Sequence, residues 1–220
     1  MNAYSLTDIT HGYDGATVLT IPGLEIPAGN ITALVGENGS GKTTLLHLLA
    51  LLTSPDRGRI QLFGQPVSRG SRARMRQDVS LLLQAPYLFR SSVAENVAWG
   101  LKGMNLTRSE RARRMEEALE WVGLERFAMR PARQLSGGEG QRLALARLLA
   151  RQPKVILLDE PTNHVDDATT ARIEDVLTGW VREHATTVVL ATHDVNQAVR
   201  LNAECLTLAG GCIREVAERV

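Results

Sequence analysis

The sequence predicts an α/β fold: a parallel central sheet, an antiparallel β layer ahead of it and a helical insertion within it. Three observations carry this. Strand-length apolar runs recur at residues 31–35, 155–158 and 187–191, and the last two flank a helix-length stretch at 168–183, the βαβ rhythm of a parallel sheet. Residues 4–31 alternate apolar and polar positions. From about residue 85 to 151 the pattern changes to helical periodicity with dense Arg and Glu.

Taken in order, Asp14-Gly15, Pro22-Gly23 and Ala28-Gly29 punctuate residues 4–31 into several short strands, an antiparallel layer. The run 31–35 flows into Gly36-Glu37-Asn38-Gly39-Ser40-Gly41-Lys42-Thr43 and then the apolar string 45–52, giving strand, glycine loop and helix. A further apolar run, 79–83, precedes Gln84. In the insertion, 107–121 reads as a helix capped by Thr107 or Ser109. The expected division is a core of 1–84 and 152–220 around a helical part of about 85–151. Internal repeats, low-complexity tracts and long linkers are absent from the sequence.

Composition removes several classes of function. Hydrophobic residues at 44% and charged residues at 22% are those of a globular chain, not a disordered one. Lys plus Arg total 25 against 24 acids, a formal charge of +1, so the field that drives nucleic-acid binding is missing and no nucleic-acid partner is expected. The string 45–52 is far short of the roughly 20 residues of a membrane helix. Residues 1–10 have no basic or apolar export region, so the expected location is the cytoplasm. Cys205 and Cys212 lack metal spacing and read as reduced, buried thiols. The Arg clusters at 69–76 and 108–114 read as solvated faces, the second interleaved with Glu110, Glu116 and Glu117 at helical spacing.

Three motifs carry chemistry. Gly36 to Thr43 fits G-x-x-x-x-G-K-[ST], in which glycines let successive backbone N–H groups turn toward phosphate oxygens at the positive end of a helix. Within it, Lys42 is the charge for the β and γ phosphates and Thr43 a hydroxyl for Mg²⁺. A buried strand ends in Asp159-Glu160, where Asp159 can hold the Mg²⁺ shell. Strand alternation points Glu160 elsewhere, free to orient or deprotonate an attacking water; the blander reading makes it a surface acid before Pro161. A second glycine-rich turn, Leu135-Ser136-Gly137-Gly138-Glu139, opens the helix that continues as Gln141-Arg142-Leu143-Ala144. One nucleotide needs only one cradle, so the second calls for an explanation.

LSGGE with a downstream ILLDEPT resembles the signature pair of ATP-binding-cassette (ABC) ATPases, and the similarity runs through essentially the whole chain. The resemblance implies a P-loop NTPase, RecA-like core with an antiparallel β subdomain and a helical ABC insertion. It implies ATP bound by Tyr13 and by Gly36, Glu37, Asn38, Gly39, Ser40, Gly41, Lys42, Thr43 and Thr44. Thr43, Gln84 and Asp159 are implied at the Mg²⁺, with Glu160, His193 and Gln84 catalytic. Two copies pair head to tail, so that Leu135, Ser136, Gly137, Gly138 and Glu139 of one cap the ATP held by the other, with Asp166 at the D-loop position. Tyr13, 23 residues ahead of Gly36, would stack on adenine; the alternative is a strand-core aromatic. The chain departs from the family pattern at Asn163-His164-Val165-Asp166, where the commonest form is nearer Ser-Ala-Leu-Asp, and at Gly140, which replaces a long polar residue. Glycine in a first helical turn costs about 1 kcal/mol relative to Ala, so a looser helix start is expected there.

The family's usual load is a membrane permease, here a separate integral membrane polypeptide, which would place the chain on the inner face of the cell membrane. Tyr87, Leu88, Phe89 and Trp99 lie where family members receive the permease's coupling helix; the alternative is that they fill the helical core. The wording LFxSSVAENVAxGL, PTNHVD and THDVNQAVRL resembles importer ATPases for oxyanions such as tungstate or molybdate, which implies a partner solute-binding protein outside the membrane. Chromosome and repair ATPases of the family insert a long coiled coil, whereas 92 residues separate Lys42 from Leu135. A soluble iron–sulfur-assembly ATPase, also a lone cassette, is the alternative.

Overall fold

In chain order the strands are β1 (Asn2–Tyr13), β2 (Ala16–Pro27), β3 (Ile31–Val35), β4 (Arg57–Leu62), β5 (Gln65–Pro66), β6 (Val79–Leu82), β7 (Val155–Asp159), β8 (Thr187–Thr192), β9 (Glu204–Ala209) and β10 (Cys212–Ala217). The helices are α1 (Lys42–Leu49), α2 (Arg72–Met75), α3 (Val93–Gly100), α4 (Arg108–Val122), α5 (Gly137–Leu149), α6 (Asp167–His184) and α7 (Val195–Arg200). These come from a computed structural model that describes residues 1–217. The chain divides into two compact units, one of residues 1–81, 154–160 and 178 onward, the other of residues 82–153 and 161–177. Among the described residues no helix is long and apolar enough to cross a membrane.

The first unit is built on two sheets. One is antiparallel, in the order β2-β1-β4-β5. Its leading hairpin turns at Asp14 and Gly15, both at positive φ (50° and 80°), the geometry of a two-residue turn that follows strand twist. The several short strands expected over residues 4–31 are instead two long ones. Pro22-Gly23 lies inside β2, with Ile21 paired to Ile9 and Gly23 to Thr7, and is no turn. β2 is an edge strand, where proline's missing N–H leaves no ladder bond unmade.

The other sheet runs β10-β9-β3-β8-β7-β6. β3 is parallel to β8 and β9, and β7 to β8. Every residue of β7 and β8 is buried, as parallel strands covered on both faces require. α1 packs Leu45, Leu46, Leu48 and Leu49 into the shared apolar core with Leu6, Ile21, Leu157 and Val189. The buried Tyr4 hydroxyl donates to the Leu49 carbonyl at 2.8 Å, closing the far end of that helix. Register then fixes the site: Val35 pairs with Thr192 and Asp159 with Ala191. The residues leaving β3, β7 and β8 therefore emerge along one edge, the carboxyl ends where ligands bind in open α/β sheets.

The second unit is helical. α4 spans residues 108–122 with Thr107, not Ser109, as its cap, and a Thr107–Glu110 capping box closes its start. The Arg113–Glu117 pair at 3.1 Å lies on its solvated face. Asn96, fully buried in α3, ties down the preceding loop: its Oδ1 accepts from the Phe89 amide and its Nδ2 donates to Phe89 O, Ser91 Oγ and Ser92 O. Cys205 and Cys212, on β9 and β10 of the first unit, are free and half-buried, not buried as expected; they do not face one another in the ladder.

Candidate active site

The loop from Gly36 to Gly41 joins β3 to α1, and two of its glycines are sterically required. A Cβ on Gly36 would lie 2.3 Å from Leu208 O, and Gly41 sits at φ 106° with Leu19 2.8 Å from the place of a Cβ. Gly41 caps α1 without a side-chain hydrogen bond, and the first turn holds no acid. By contrast, α3, α4 and α5 each close their starts with a Ser or Thr cap and a returning Glu. The amides at the head of α1 thus stay open, at the positive end of the helix dipole, for an outside anion. Lys42, 5% exposed, donates from Nζ to Gly36 O at 2.7 Å and Glu37 O at 3.0 Å.

Asp159 and Glu160 take different partners. The Thr43 hydroxyl donates to Asp159 Oδ2 at 2.8 Å. Glu160 turns out of the strand at φ 45°, its amide donating to Ala191 O at 3.0 Å. Its Oε1 lies 3.8 Å from Lys42 Nζ and its Oε2 3.5 Å from His193 Nδ1, with the side chain 11% exposed. It is not a surface acid. His193 follows β8 with its side chain 58% exposed, and Asp194 beside it caps α7. Lys42, Thr43, Asp159, Glu160 and His193 thus form one contiguous set in the first unit. Thr43 and Asp159 present adjacent hard oxygens, a donor set that fits Mg²⁺ carried in with phosphates. Tyr13, half-exposed at the end of β1, is not a core residue.

Gln84, the residues 135–139 and Asp166 belong to the second unit. Ser136 caps α5: its Oγ accepts from the Glu139 amide at 3.2 Å, while Glu139 Oε2 accepts from the Ser136 amide at 2.7 Å. That amide, with the Ser136 hydroxyl, holds the Glu139 carboxyl below the usual carboxylate range. Despite Gly140, the start of α5 is closed, not loose: the Gly140 amide bonds Ser136 O at 2.8 Å, and Leu88 fills the room a side chain would need, 3.2 Å from an added Cβ. Thr169 does the same at Gly138, 2.6 Å away. Asp166 accepts from the Thr169 amide at 2.7 Å at the head of α6, which lowers its carboxyl pKa. Gln84 is exposed in the bend after β6.

The aromatics near Gln84 form a surface ladder instead of filling a core. Phe89 stacks on Trp99 at 4.7 Å, and Tyr87 meets Phe89 edge-on at 5.4 Å. Tyr87 is 68% and Trp99 45% exposed. Arg147 lies over the Phe89 ring and donates to Tyr87 O at 2.9 Å. Arg147 and Thr169 carried no sequence signal, since each acts through a segment distant in the chain.

The ABC transporter family matches residues 19–163. Among curated proteins, the chain is 39% identical to the phosphate import ATP-binding protein PstB 2 of Natronomonas pharaonis, over 98% of this chain and 81% of the relative. It is 33% identical to the tungstate uptake system ATP-binding protein TupC of Peptoclostridium acidaminophilum, over 96% of each. Among solved structures, a dimeric ATP-binding cassette in a post-hydrolysis state, bound to ADP and Pi, superposes with a TM-score of 0.87 at 30% identity, over 99% of both chains. The loop that opens α1, the acids ending β7 and the sequence around them thus have one origin: the chain belongs to the ABC transporter family, as one of its ATP-hydrolysing cassettes.

Proposed function

We propose that the chain is the ATPase subunit of an importer for a small oxyanion, working as a head-to-tail homodimer on a separate integral membrane permease. The observation that carries the ATPase part of this is the set of Lys42, Thr43, Asp159, Glu160 and His193 gathered at the strand ends beside an uncapped helix start. Lys42 leaves its carbonyl partners for the β and γ phosphates, and the amides of residues 36–44 cradle them. Thr43 and Asp159 would hold Mg²⁺, which supplies charge neutralisation on the phosphates when bound. Glu160 orients and deprotonates water, and His193 contacts the γ-phosphate.

The second cradle, Leu135 to Glu139, caps ATP lying on the partner copy, with Asp166 at the seam between the two. The dimeric state of the related cassette supports this pairing. The names of the relatives, a phosphate importer and a tungstate uptake system, support import of an oxyanion, with a solute-binding protein outside the membrane. The exposed ladder of Tyr87, Phe89 and Trp99 supplies the face for the permease, which holds the chain at the inner membrane surface. Co-purification in detergent followed by ATPase assays in proteoliposomes tests the reading. Hydrolysis stimulated by a tungstate-loaded or phosphate-loaded binding protein is the expected result; a chain that hydrolyses ATP but recovers no membrane protein refutes it.

A further inference from the structure

His11 is a buried imidazole with no part in the function above. It lies on β1 two residues before Tyr13, so the two side chains share a strand face. Their rings meet at 5.2 Å between centroids and 73° between planes, edge to face. His11 is 6% exposed and Tyr13 47%. Neither His11 nitrogen has a hydrogen-bond partner, and Nδ1 lies 3.5 Å from Asp56 Oδ2. The same carboxylate oxygen accepts the Gly12 amide at 2.9 Å, and the Asp56 amide donates to Thr10 O at 2.8 Å.

This clamp sits on an irregularity in the strand. Pairing shifts from His11 with Leu19 to Gly12 with Thr17, and a Cβ on Gly12 would lie 2.0 Å from Ala16 O. The extra residue of this bulge is Val18 on β2, so the partner strand bends opposite Gly12, while Asp56 holds the β1 side at the Gly12 amide next to Tyr13. Tyr13, half-exposed beside a hairpin tip, would otherwise lose rotamer freedom whenever a flat ligand lay on it. A buried ring held against its face or edge removes part of that loss beforehand.

We propose that His11, clamped by Asp56, is a positioning residue that holds Tyr13 ready to receive the adenine base. This rests on the reading of Tyr13 as the base-stacking residue. His11 touches neither phosphate nor metal in this role, so its contribution falls on the base alone.

Titration calorimetry with Mg-ATP and with Mg-tripolyphosphate, which has no base, separates the terms in the full chain. His11→Ala and Asp56→Ala should each weaken ATP binding by about two- to tenfold, the worth of an edge-to-face aromatic contact, and leave tripolyphosphate affinity unchanged. Tyr13→Ala should show a loss of the same kind, at least as large. Equal losses for both ligands in His11→Ala would make His11 merely structural and overturn the proposal. A selective loss in Tyr13→Ala without one in His11→Ala overturns the role of His11 and leaves the stacking reading standing. No selective loss in Tyr13→Ala overturns the stacking reading, and the proposal with it. Should His11→Ala fail to fold, Asp56→Ala decides, since its side chain is 61% exposed: no selective loss there overturns the clamp.

Discussion

On the proposed role of Glu160, its replacement by Gln should separate water activation from nucleotide binding, because the change keeps side-chain size and removes only charge and basicity. Lys42 keeps its two carbonyl acceptors at 2.7 and 3.0 Å, and the Thr43–Asp159 bond at 2.8 Å does not involve the altered atoms. What is lost is the carboxylate 3.8 Å from Lys42 and 3.5 Å from His193. ATP affinity should therefore stay within about threefold of the parent, roughly 0.6 kcal/mol. Loss of a positioned base should slow hydrolysis by about 10²–10⁴-fold, or about 3–5 kcal/mol in the barrier. Folding should barely respond: a loss of order 1 kcal/mol moves the melting temperature of a chain this size by about 2–4 °C.

Three measurements check this: phosphate release at saturating Mg-ATP, calorimetric titration, and gel filtration with ATP. The expected combination is a slow enzyme with near-parental affinity that elutes as an ATP-bound dimer. Hydrolysis within tenfold of the parent would place the base elsewhere. Affinity falling in step with rate would mean that Glu160 acts through Lys42 on the phosphates. A monomer in the presence of Mg-ATP would sink the head-to-tail pairing.

If Lys42 binds phosphate as proposed, Lys42→Ala removes charge-assisted bonds worth about 1.5–3 kcal/mol each, so the Kd for ATP should rise by at least about tenfold in calorimetry, and an unchanged value refutes the P-loop assignment. Ser136→Ala and Ser136→Gly should both cut hydrolysis more than ATP binding. The Gly variant should melt nearer the parent, since losing the cap to Ala costs about 1 kcal/mol and to Gly a few tenths; equal losses of binding and hydrolysis argue against a role on the partner's ATP. Glu95, Glu110 and Glu139 have carboxyls held below the ordinary 4.5 by their capping partners. A depressed folded pKa gives stability that is present above the unfolded value and lost as pH falls through the folded one. Thermal melts should therefore decline below about pH 4.5, and less steeply when all three are Gln; identical slopes would refute the attribution.

The parts legible in the sequence were those encoded within one contiguous segment. β3, α1 and the loop between them form such a segment, and so does the strand ending in Asp159-Glu160. The α4 cap was legible to within two residues, and contact with Glu110 decides for Thr107. Pro22-Gly23 misled because a turn dipeptide is also tolerated in an edge strand, and edge position is a property of the sheet, not of the dipeptide. His11 and Arg147 were illegible for a related reason: each meets a partner brought to it by packing, Asp56 in one case and Tyr87 in the other. Gly140 was visible as a departure, but its meaning needed Leu88 opposite it.

The two glycine-rich turns also differ in a way that bears on how a dimer would work. α1 begins without a cap and without an acid, so an anion meets open amides and the buried Lys42. α5 begins with its third amide already bonded to Ser136 and with the Glu139 carboxylate returned to the same turn. A phosphate arriving at α5 alone would meet a resident negative charge across a short distance, and like charges there repel. On the proposed function, the same phosphate already bound to Lys42 and Mg²⁺ on a partner copy brings compensating charge with it. The α5 cradle is thereby suited to a nucleotide loaded elsewhere and poorly suited to free phosphate. This order, α1 first and α5 second, is what head-to-tail pairing driven by ATP requires.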